Sequence, residues 1–319
     1  MNRKSTKFKA IFLFITLTVW CLFSARLVQA QKPLPEDSGF SGYIELLTAY
    51  MSSNSQFNTD NKNERTDSLD RSGKRVDNVK LLPLGLIAYT FAELRTQLFL
   101  GVLPETVVQG QFQVEAGVRH DLLDGTSLRA SVIPITPFQK ETWEDPFVVG
   151  QNRKETDITS YGFKLSAENI RGSGIGLEYR WLQKKIDDEE SGQFLLSQPG
   201  SPLAPEDLDD LERDSKSHRF SAEYSFELVP RMNLKPILRY TREDAEGNAN
   251  SSHALTTQLS FSYFGDKWQA FVNGIVKREW YDDTHPVFDK TRRDLNVGMF
   301  AIIAYKDPFG LDGFRIDWL

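Results

Sequence analysis

Histidine side chains are the groups of this chain best suited to general acid–base work or metal binding: His120, His218, His253 and His285. None is at metal-ligand spacing from another histidine or from a pair of carboxylates. His218 and His253 lie beside long acidic links, so a His–Asp hydrolytic site is conceivable there. Each follows a serine, but neighbouring strand residues point to opposite faces, which argues against a Ser–His pair. We predict no catalytic residue, metal site or cofactor, and keep a hydrolase of protease or phospholipase type as an alternative.

Charged side chains form a more coherent set, because they recur at alternate positions of segments that we predict to be strands. The set comprises Arg95, Glu115, Arg119, Arg129, Lys164, Glu168, Glu178, Arg180, Arg219, Glu223, Glu227, Lys235, Arg239 and Lys277. If these side chains face an enclosed interior, opposite charges can pair across it. They would then line a narrow aqueous path or close it, with weak ion selectivity at most, in contrast to rings of one charge.

A distinctive link motif combines aromatic and acidic residues: Glu141, Trp143, Glu144, Asp145 and Phe147. It either folds inward as a constriction or packs over a rim. A second acidic run, at residues 206–214, has oxygen ligands for calcium but lacks the glycine and the spacing of a calcium loop. We therefore interpret that run as a solvated loop.

Strict alternation identifies the elements that must position these residues. In residues 219–228 the even positions are apolar and the odd positions are polar or charged. That period of two is typical of a half-buried strand, whereas a helix would scatter the apolar side chains around its axis. The pattern recurs along the chain. We predict strands near 40–52, 79–91, 93–103, 109–121, 126–136, 158–170, 174–187, 217–230, 234–245, 254–265, 268–281 and 294–306.

The segment 1–30 has the features of a cleaved secretory signal peptide. Basic residues precede an apolar run at 11–23, and Val28 and Ala30 supply the small residues of a cleavage site. The run is shorter than a membrane-spanning helix requires, which disfavours an uncleaved anchor. Bulky Trp20 before Cys21 disfavours a lipoprotein. We predict a signal peptide at 1–30 and one domain at 31–319.

Charge and composition exclude several classes of function. The formal net charge is −6 with the basic leader included, so the remainder is more acidic still, and nucleic-acid binding is not expected. Hydrophobic residues make up 40% of the chain, which argues against disorder. Cys21 is the only cysteine, so the processed chain has no disulfide or thiol chemistry.

The predicted links sort into a short set and a long set, which separates two classes of β-protein. Turns at 122–125, 171–173, 231–233 and 266–267 alternate with links near 53–78, 137–157, 188–216, 246–253 and 282–293. A soluble sandwich gives no reason for such sorting, but a transmembrane barrel has short turns at one end and long loops at the other. We predict an all-β, up-and-down antiparallel barrel of about 12 strands. Counts of 10 or 14 stay open, because the alternating tail at 313–319 adds a thirteenth candidate strand.

Four segments resemble a domain-of-unknown-function family of secreted Gram-negative proteins predicted to be outer-membrane β-barrels. They are Thr90–Gly101, Gly117–His120, Glu141–Phe147 and Asp187–Gly192. The resemblance covers nearly the whole processed chain. It implies a barrel but brings no catalytic or binding residue with it.

These features together predict an exported protein of the bacterial outer membrane. We expect a narrow passive, porin-like channel or a structural surface protein of the cell envelope. A hydrolase with its site at the extracellular rim and a soluble periplasmic β-protein are the alternatives. The expected partners are outer-membrane lipid and lipopolysaccharide, with periplasmic chaperones and the barrel assembly machinery during biogenesis, and the expected state is a monomer.

Overall fold

The computed structural model describes residues 33–108, 112–135, 141–306 and 315–318. The predicted signal peptide, with Cys21, lies outside the described residues. Most of the tail strand predicted at 313–319 is described, as residues 315–318. None of the described helices has the length and hydropathy of a membrane span.

The described chain is dominated by one sheet of fifteen strands. These are β1 Gly39–Ser53, β2 Val76–Phe91, β3 Thr96–Gly101, β4 Val114–Asp121, β5 Ser127–Ile135, β6 Glu141–Trp143, β7 Glu155–Glu168, β8 Ile175–Ile186, β9 Ser215–Tyr224, β10 Phe226–Val229, β11 Met232–Ala245, β12 Ser252–Phe264, β13 Trp268–His285, β14 Lys290–Lys306 and β15 Arg315–Trp318. Short helical turns lie at Pro104–Val108, Gln193–Leu196, Asn61–Asn63, Ile170–Gly172, Pro205–Leu211 and Asn248–Asn250.

The all-β prediction is confirmed, but the predicted count of twelve strands is wrong. Three short strands account for the difference. β6 arises within a predicted link, β15 is the alternating tail, and β10 is separated from β9 where Ser225 leaves the ladder. Ser225 instead donates its N–H to the carbonyl of Gly174 at 2.9 Å. Alternation alone does not reveal such a local loss of pairing.

Consecutive strands pair in antiparallel fashion along most of the sheet. β11 pairs with β12 and also with β9, from Ile237↔Glu223 to Ala245↔Ser215. β15 pairs with β14 and, in parallel orientation, with β1 through Thr48↔Trp318. The first and last described strands are therefore neighbours in the sheet.

The connections differ between the two ends of the strands. Short turns join β2 to β3, β4 to β5, β7 to β8, β10 to β11 and β12 to β13. Residues with positive φ, such as Gly125 (87°) and Asn169 (50°), close two of these turns. Links 54–75, 136–154 and 187–214 at the other end are long. The link predicted at 282–293 is instead a tight hairpin, because β13 continues to His285 and β14 begins at Lys290.

Apolar side chains lie on the exposed face of the sheet, and polar ones lie on the buried face. On β12, Leu255 and Leu259 are 43% and 48% exposed, whereas Gln258 is fully buried. On β14, Val297 and Met299 are 74% and 80% exposed. This inverts the arrangement of a soluble sheet, whose apolar face is normally the buried one.

The described residues of the link between β3 and β4, 102–108 and 112–113, lie among side chains of the buried face. Val102 and Val107 pack with Leu47, Phe271 and Ile302 in one apolar cluster. Leu84 belongs to the same cluster, and partly buried apolar side chains pack against it: Tyr43, Phe112, Val114 and Phe300. We call residues 102–108 and 112–113 the inner segment; residues 109–111 lie outside the described part.

The inner segment corrects two predicted strands. β3 ends at Gly101 and β4 begins at Val114, so the predicted strands at 93–103 and 109–121 are too long. The start at 93 is wrong as well, because residues 92–95 form the β2–β3 turn. Phe112 and Val114 continue the alternation of β4, and for this reason the sequence placed them on an outward apolar face.

Candidate functional site

A buried polar cluster occupies the inner face of β4, β5 and β7. Lys164 Nζ lies 2.5 Å from Glu115 Oε1, and both side chains are almost completely buried. Ser131 Oγ donates to Glu115 Oε2 at 2.6 Å, and Gln113 Nε2 donates to Oε1 at 2.8 Å. A buried carboxylate is tolerated when it is paired and hydrogen-bonded in this way.

The polar cluster continues onto β8, β11, β12 and β13. Arg180 donates to Gln113 Oε1 at 2.9 Å. Arg239 donates to Gln258 Oε1, and Gln258 Nε2 donates to Asn273 Oδ1 at 2.8 Å. Gln258 and Asn273 are fully buried. The inner face is therefore divided between this polar network and the apolar cluster around the inner segment.

Four further ion pairs flank the network. They are Arg119–Asp121 at 2.8 Å, Arg129–Glu168 at 3.3 Å, Lys235–Glu223 at 2.8 Å and Lys277–Glu279 at 2.9 Å. Each joins groups on the same or on nearby strands. Most of the predicted interior charges thus have opposite charges beside them.

Four members of the predicted charged set remain. Arg219 is the register partner of Arg180, and its Nε is buried without a hydrogen-bond partner in the described chain. Glu178 is half-buried opposite Ser221. Arg95 lies in the β2–β3 turn with φ 48°, because the strand predicted to contain it begins one residue later. Glu227 accepts the backbone N–H of Arg231 at 3.2 Å beside an exposed turn. The pore-lining role of the whole set stays a prediction.

The acidic–aromatic motif is a structural centre of the long loops. Trp143 is completely buried, and its Nε1 donates to the carbonyl of Gln56 at 2.9 Å. Asp145 accepts the backbone N–H groups of Gly192 and Phe194 at 3.1 and 2.9 Å. Glu141 opens β6, which pairs with β7 through Glu141↔Asp157. The motif joins three loops to one another, and its role as a constriction stays a prediction.

Charged side chains also connect these loops to one another. Arg213 lies 2.8 Å from Glu189 and donates to the carbonyls of Trp143 and Glu144 at 2.8 and 3.0 Å. Glu144 also pairs with Lys154. An apolar cluster completes the packing; it consists of Phe147, Leu203 and Leu211, with partly buried Leu69, Leu195, Leu196, Leu208 and Val287 against it. The loop residues 54–75, 141–154 and 187–214 and the tip of the β13–β14 hairpin therefore pack together, and we call them the cap.

A cavity of about 720 Å³ opens among the cap loops. Its wall includes the cations Arg71, Arg153, Arg213, Lys290 and Arg292 together with the acid Asp70. Burial lowers the pKa of Arg153, whose guanidinium lies 5.5 Å from the ring of Trp143. The sequence pattern does not predict this cavity, because its residues come from segments that are distant in the chain.

His285 lies in the wall of the cavity and contacts Phe147 and Phe288, with ring centroids 5.4 and 4.9 Å away. Burial, reinforced by the positive charge of Arg292, lowers the pKa of His285 to about 4. Its Nδ1 accepts the N–H of Val287 at 3.2 Å, which fits a neutral ring. Its packing gives it a structural place in the cap.

The other histidines have ordinary partners. His120 Nδ1 lies 2.9 Å from Thr96 Oγ1, and His218 Nδ1 lies 2.9 Å from the hydroxyl of Tyr179. His253 Nδ1 lies 3.6 Å from Asp282, whose carboxylate also pairs with Arg242 at 2.5 Å. The neighbouring serine of His253 donates instead to Glu279. Within the described ranges no group of metal-ligating side chains converges.

Comparison with known proteins gives a family and distant structural likenesses. No curated protein is detectably similar in sequence. The outer-membrane expressed OmpT of Vibrio cholerae shares 13% identity over 88% of this chain and 80% of that chain, with a TM-score of 0.42. An anion-selective porin from Comamonas acidovorans shares 14% identity over 76% of this chain and 60% of that chain, with a TM-score of 0.32.

The family model described as "Protein of unknown function (DUF2860)" matches residues 39–317. That range contains every described strand except the last residue of β15. The resemblance drawn from the four sequence segments is thus confirmed, and the chain belongs to the DUF2860 family of proteins of unknown function.

Proposed function

We propose that the chain is an outer-membrane β-barrel with a narrow, passive passage for small polar solutes. The observation that carries this proposal is the inverted polarity of the sheet. Exposed leucines on β8, β11 and β12 lie opposite a face that buries Lys164, Glu115 and Arg180. Lipid is a suitable environment for the first face, and an enclosed polar interior suits the second.

Strand pairing supports a closed wall. β9 and β10 both pair with β11, so we propose that they form a single wall strand. The pairings β9–β11 and β14–β15–β1 join the edges that an open sheet would leave exposed.

Aromatic side chains near the short turns fit the boundary between hydrocarbon and headgroups. Trp268 is 51% exposed and lies against Tyr305, with ring centroids 4.7 Å apart. The ring centroids of Phe40 and Tyr89 are 4.8 Å apart near another short-turn end, and Phe40 is 78% exposed. Aromatic girdles at these positions are typical of transmembrane barrels.

The inner segment and the charge network support a narrow passage. The apolar cluster around Val107 occupies one side, so the proposed passage follows the polar side between β4 and β12. Pairs such as Glu115–Lys164 place both signs there, from which we infer weak ion selectivity.

Conductance across a planar lipid bilayer tests this proposal. Purified protein should produce small, discrete current steps with little preference between cations and anions. Heat-denatured protein is the control and should produce none. A flat trace from folded protein would overturn the channel and leave a structural surface protein.

We propose that residues 1–30 direct export and are cleaved before the domain at 31–319 is assembled in the outer membrane. The assembly machinery and periplasmic chaperones would act during biogenesis, and lipid and lipopolysaccharide would surround the folded monomer. The apolar exposed face supports the lipid contact. N-terminal sequencing tests the cleavage, since a mature chain that begins before residue 31 would contradict it.

A further inference from the structure

We propose that the cavity among the cap loops binds a soluble organic anion that carries an aromatic or other apolar group. The proposal does not depend on the channel function, because the cavity is lined by the long loops and by the ends of β13 and β14 that meet them. The cavity has a volume of about 720 Å³. Ligand pockets typically measure roughly 300–1000 Å³, so a molecule of this kind fits.

The electrostatics of the wall point to a negatively charged ligand. Arg213 and Arg292 are paired with Glu189 and Asp294 at 2.8 and 2.5 Å. Arg71 and Lys290 have no ion pair within the described part of the chain and are exposed. The cavity therefore has an excess of positive charge, although the chain as a whole is acidic. An anion in this position would gain charge-assisted hydrogen bonds.

Arg153 is a buried cation of the cavity wall. Its side chain is buried, and its terminal nitrogens contact Gln56 O at 2.8 Å and Gln56 Oε1 at 3.3 Å. These contacts and the ring of Trp143 fix the guanidinium in place. No carboxylate of the described residues lies within ion-pair distance, although Asp145 attracts the guanidinium from further away.

The Nε of Arg153 is buried and has no acceptor among the described residues. Burial of a cation that is only partly neutralised is costly. An anion bound in the cavity would offset that cost. The exposed cations of the wall have no comparable cost, because they are in contact with water.

The apolar part of the wall sets the second requirement on the ligand. Phe57, Phe147, Phe288 and Leu211 line the cavity together with the cations. The ring of Tyr281 lies 4.8 Å from the guanidinium of Arg292. Flat apolar groups fit beside such rings, whereas a bare inorganic anion would leave them without a partner.

The source of the anion follows from where the cavity lies. Its wall is formed by residues from the links 54–75, 144–154, 187–214 and 246–251 and by the β13–β14 hairpin, rather than by the exposed leucine face of the strands. A lipid phosphate held in the membrane would have to leave its layer to enter it. We therefore assign the site to a dissolved molecule rather than to lipopolysaccharide.

Calorimetric titration of the folded, detergent-solubilised protein with phenyl phosphate tests the proposal at low salt. We expect saturable binding that weakens roughly tenfold or more for the double variant Arg71→Gln/Lys290→Gln, because charged hydrogen bonds to the anion are lost. Both residues are exposed, so the variant should fold. Lys267→Gln, at the exposed β12–β13 turn, is the matched control and should bind as the wild type does.

Several results would overturn the proposal. Absence of heat at saturating phenyl phosphate would show that the cavity does not bind this anion. Unchanged affinity in the double variant would show that Arg71 and Lys290 do not contribute to binding. Equal affinity for inorganic phosphate would show that the apolar wall contributes nothing. Displacement of bound phenyl phosphate by purified lipopolysaccharide would assign the site to a lipid phosphate and contradict the dissolved ligand.

Discussion

The carboxylate of Glu115 shows how far residue patterns predict a site. Alternation along β4 indicated that Glu115 faces inward, and the side chain is completely buried. Its partner Lys164 lies 49 residues further along the chain, on β7. The partner follows only from the register of β4, β5 and β7, because one shifted residue would turn every side chain to the opposite face. The sequence pattern thus predicts which face a side chain lies on, whereas its charge partner is known only from the register of the strands.

Lys164→Met is expected to lower the free energy of unfolding by about 3–5 kcal/mol, because it leaves the buried carboxylate of Glu115 without its charge partner. The measurement is the urea midpoint of the purified protein. Lys267→Met, at an exposed turn, is the control and should leave the midpoint unchanged. The double variant Glu115→Leu/Lys164→Met should recover part of the loss, and an unchanged midpoint for Lys164→Met alone would show that the pair is solvated.

His285 makes the cap sensitive to acid. Its pKa in the packed cap is about 4, below the value of 6.5 for a free histidine, because burial and Arg292 disfavour the charged ring. An opened hairpin therefore takes up a proton more readily than the packed one. The stabilisation of the packed hairpin by the neutral His285 ring is complete above about pH 6.5 and is lost as the pH falls towards 4. The other charged side chains of the cavity wall are Asp70, Arg71, Arg153, Arg213, Lys290 and Arg292.

Hydrogen exchange of residues 281–293 at pH 7.5 and pH 5 measures this effect. The wild type should exchange faster at pH 5 after correction for the intrinsic rate. His285→Gln cannot be protonated and should show no such difference. Equal protection of the wild-type hairpin at both values would contradict the burial of a neutral ring.

At the scale of elements, the long strands were predictable and the inner segment was not. Residues 255–263 and 219–224 alternate without interruption, and both lie in strands. Phe112 and Val114 alternate equally well, although they pack inside the sheet against the cluster that contains Val107. Alternation indicates which residues share a face of the sheet. It does not indicate where a strand ends and the chain turns towards the buried face. The short length of β3, from Thr96 to Gly101, marks the departure only once the structure is known.

Replacement of Pro104–Val108 by glycine and serine residues of the same number should raise the conductance of single channels. The substitution removes Val107 from its apolar contacts, so the inner segment no longer narrows the interior. Bilayer recording measures the effect. The same replacement in the exposed loop residues 197–200 is the control and should leave the conductance as it is. Equal conductance in both variants would show that the inner segment does not limit the passage.

At the scale of the whole molecule, the proposed barrel requires the apolar face of the sheet to meet lipid and the polar face to meet the interior. The chain has no cysteine after Cys21, so single cysteines can be introduced and labelled one at a time. β12 provides a matched set, because Leu255 and Leu259 are exposed while Ser260 is buried and Thr256 is half-buried. Each exposed position is next to an inward one in the chain, which controls for depth in the membrane.

Electron paramagnetic resonance of nitroxides at these four positions, in protein reconstituted into lipid vesicles, is the most direct measurement. The labels at Leu255→Cys and Leu259→Cys should collide with oxygen dissolved in the hydrocarbon and avoid a water-soluble nickel chelate. Those at Thr256→Cys and Ser260→Cys should show much lower accessibility to oxygen. Accessibility that does not alternate along β12, or nickel contact at both leucine positions, would contradict a lipid-facing apolar surface.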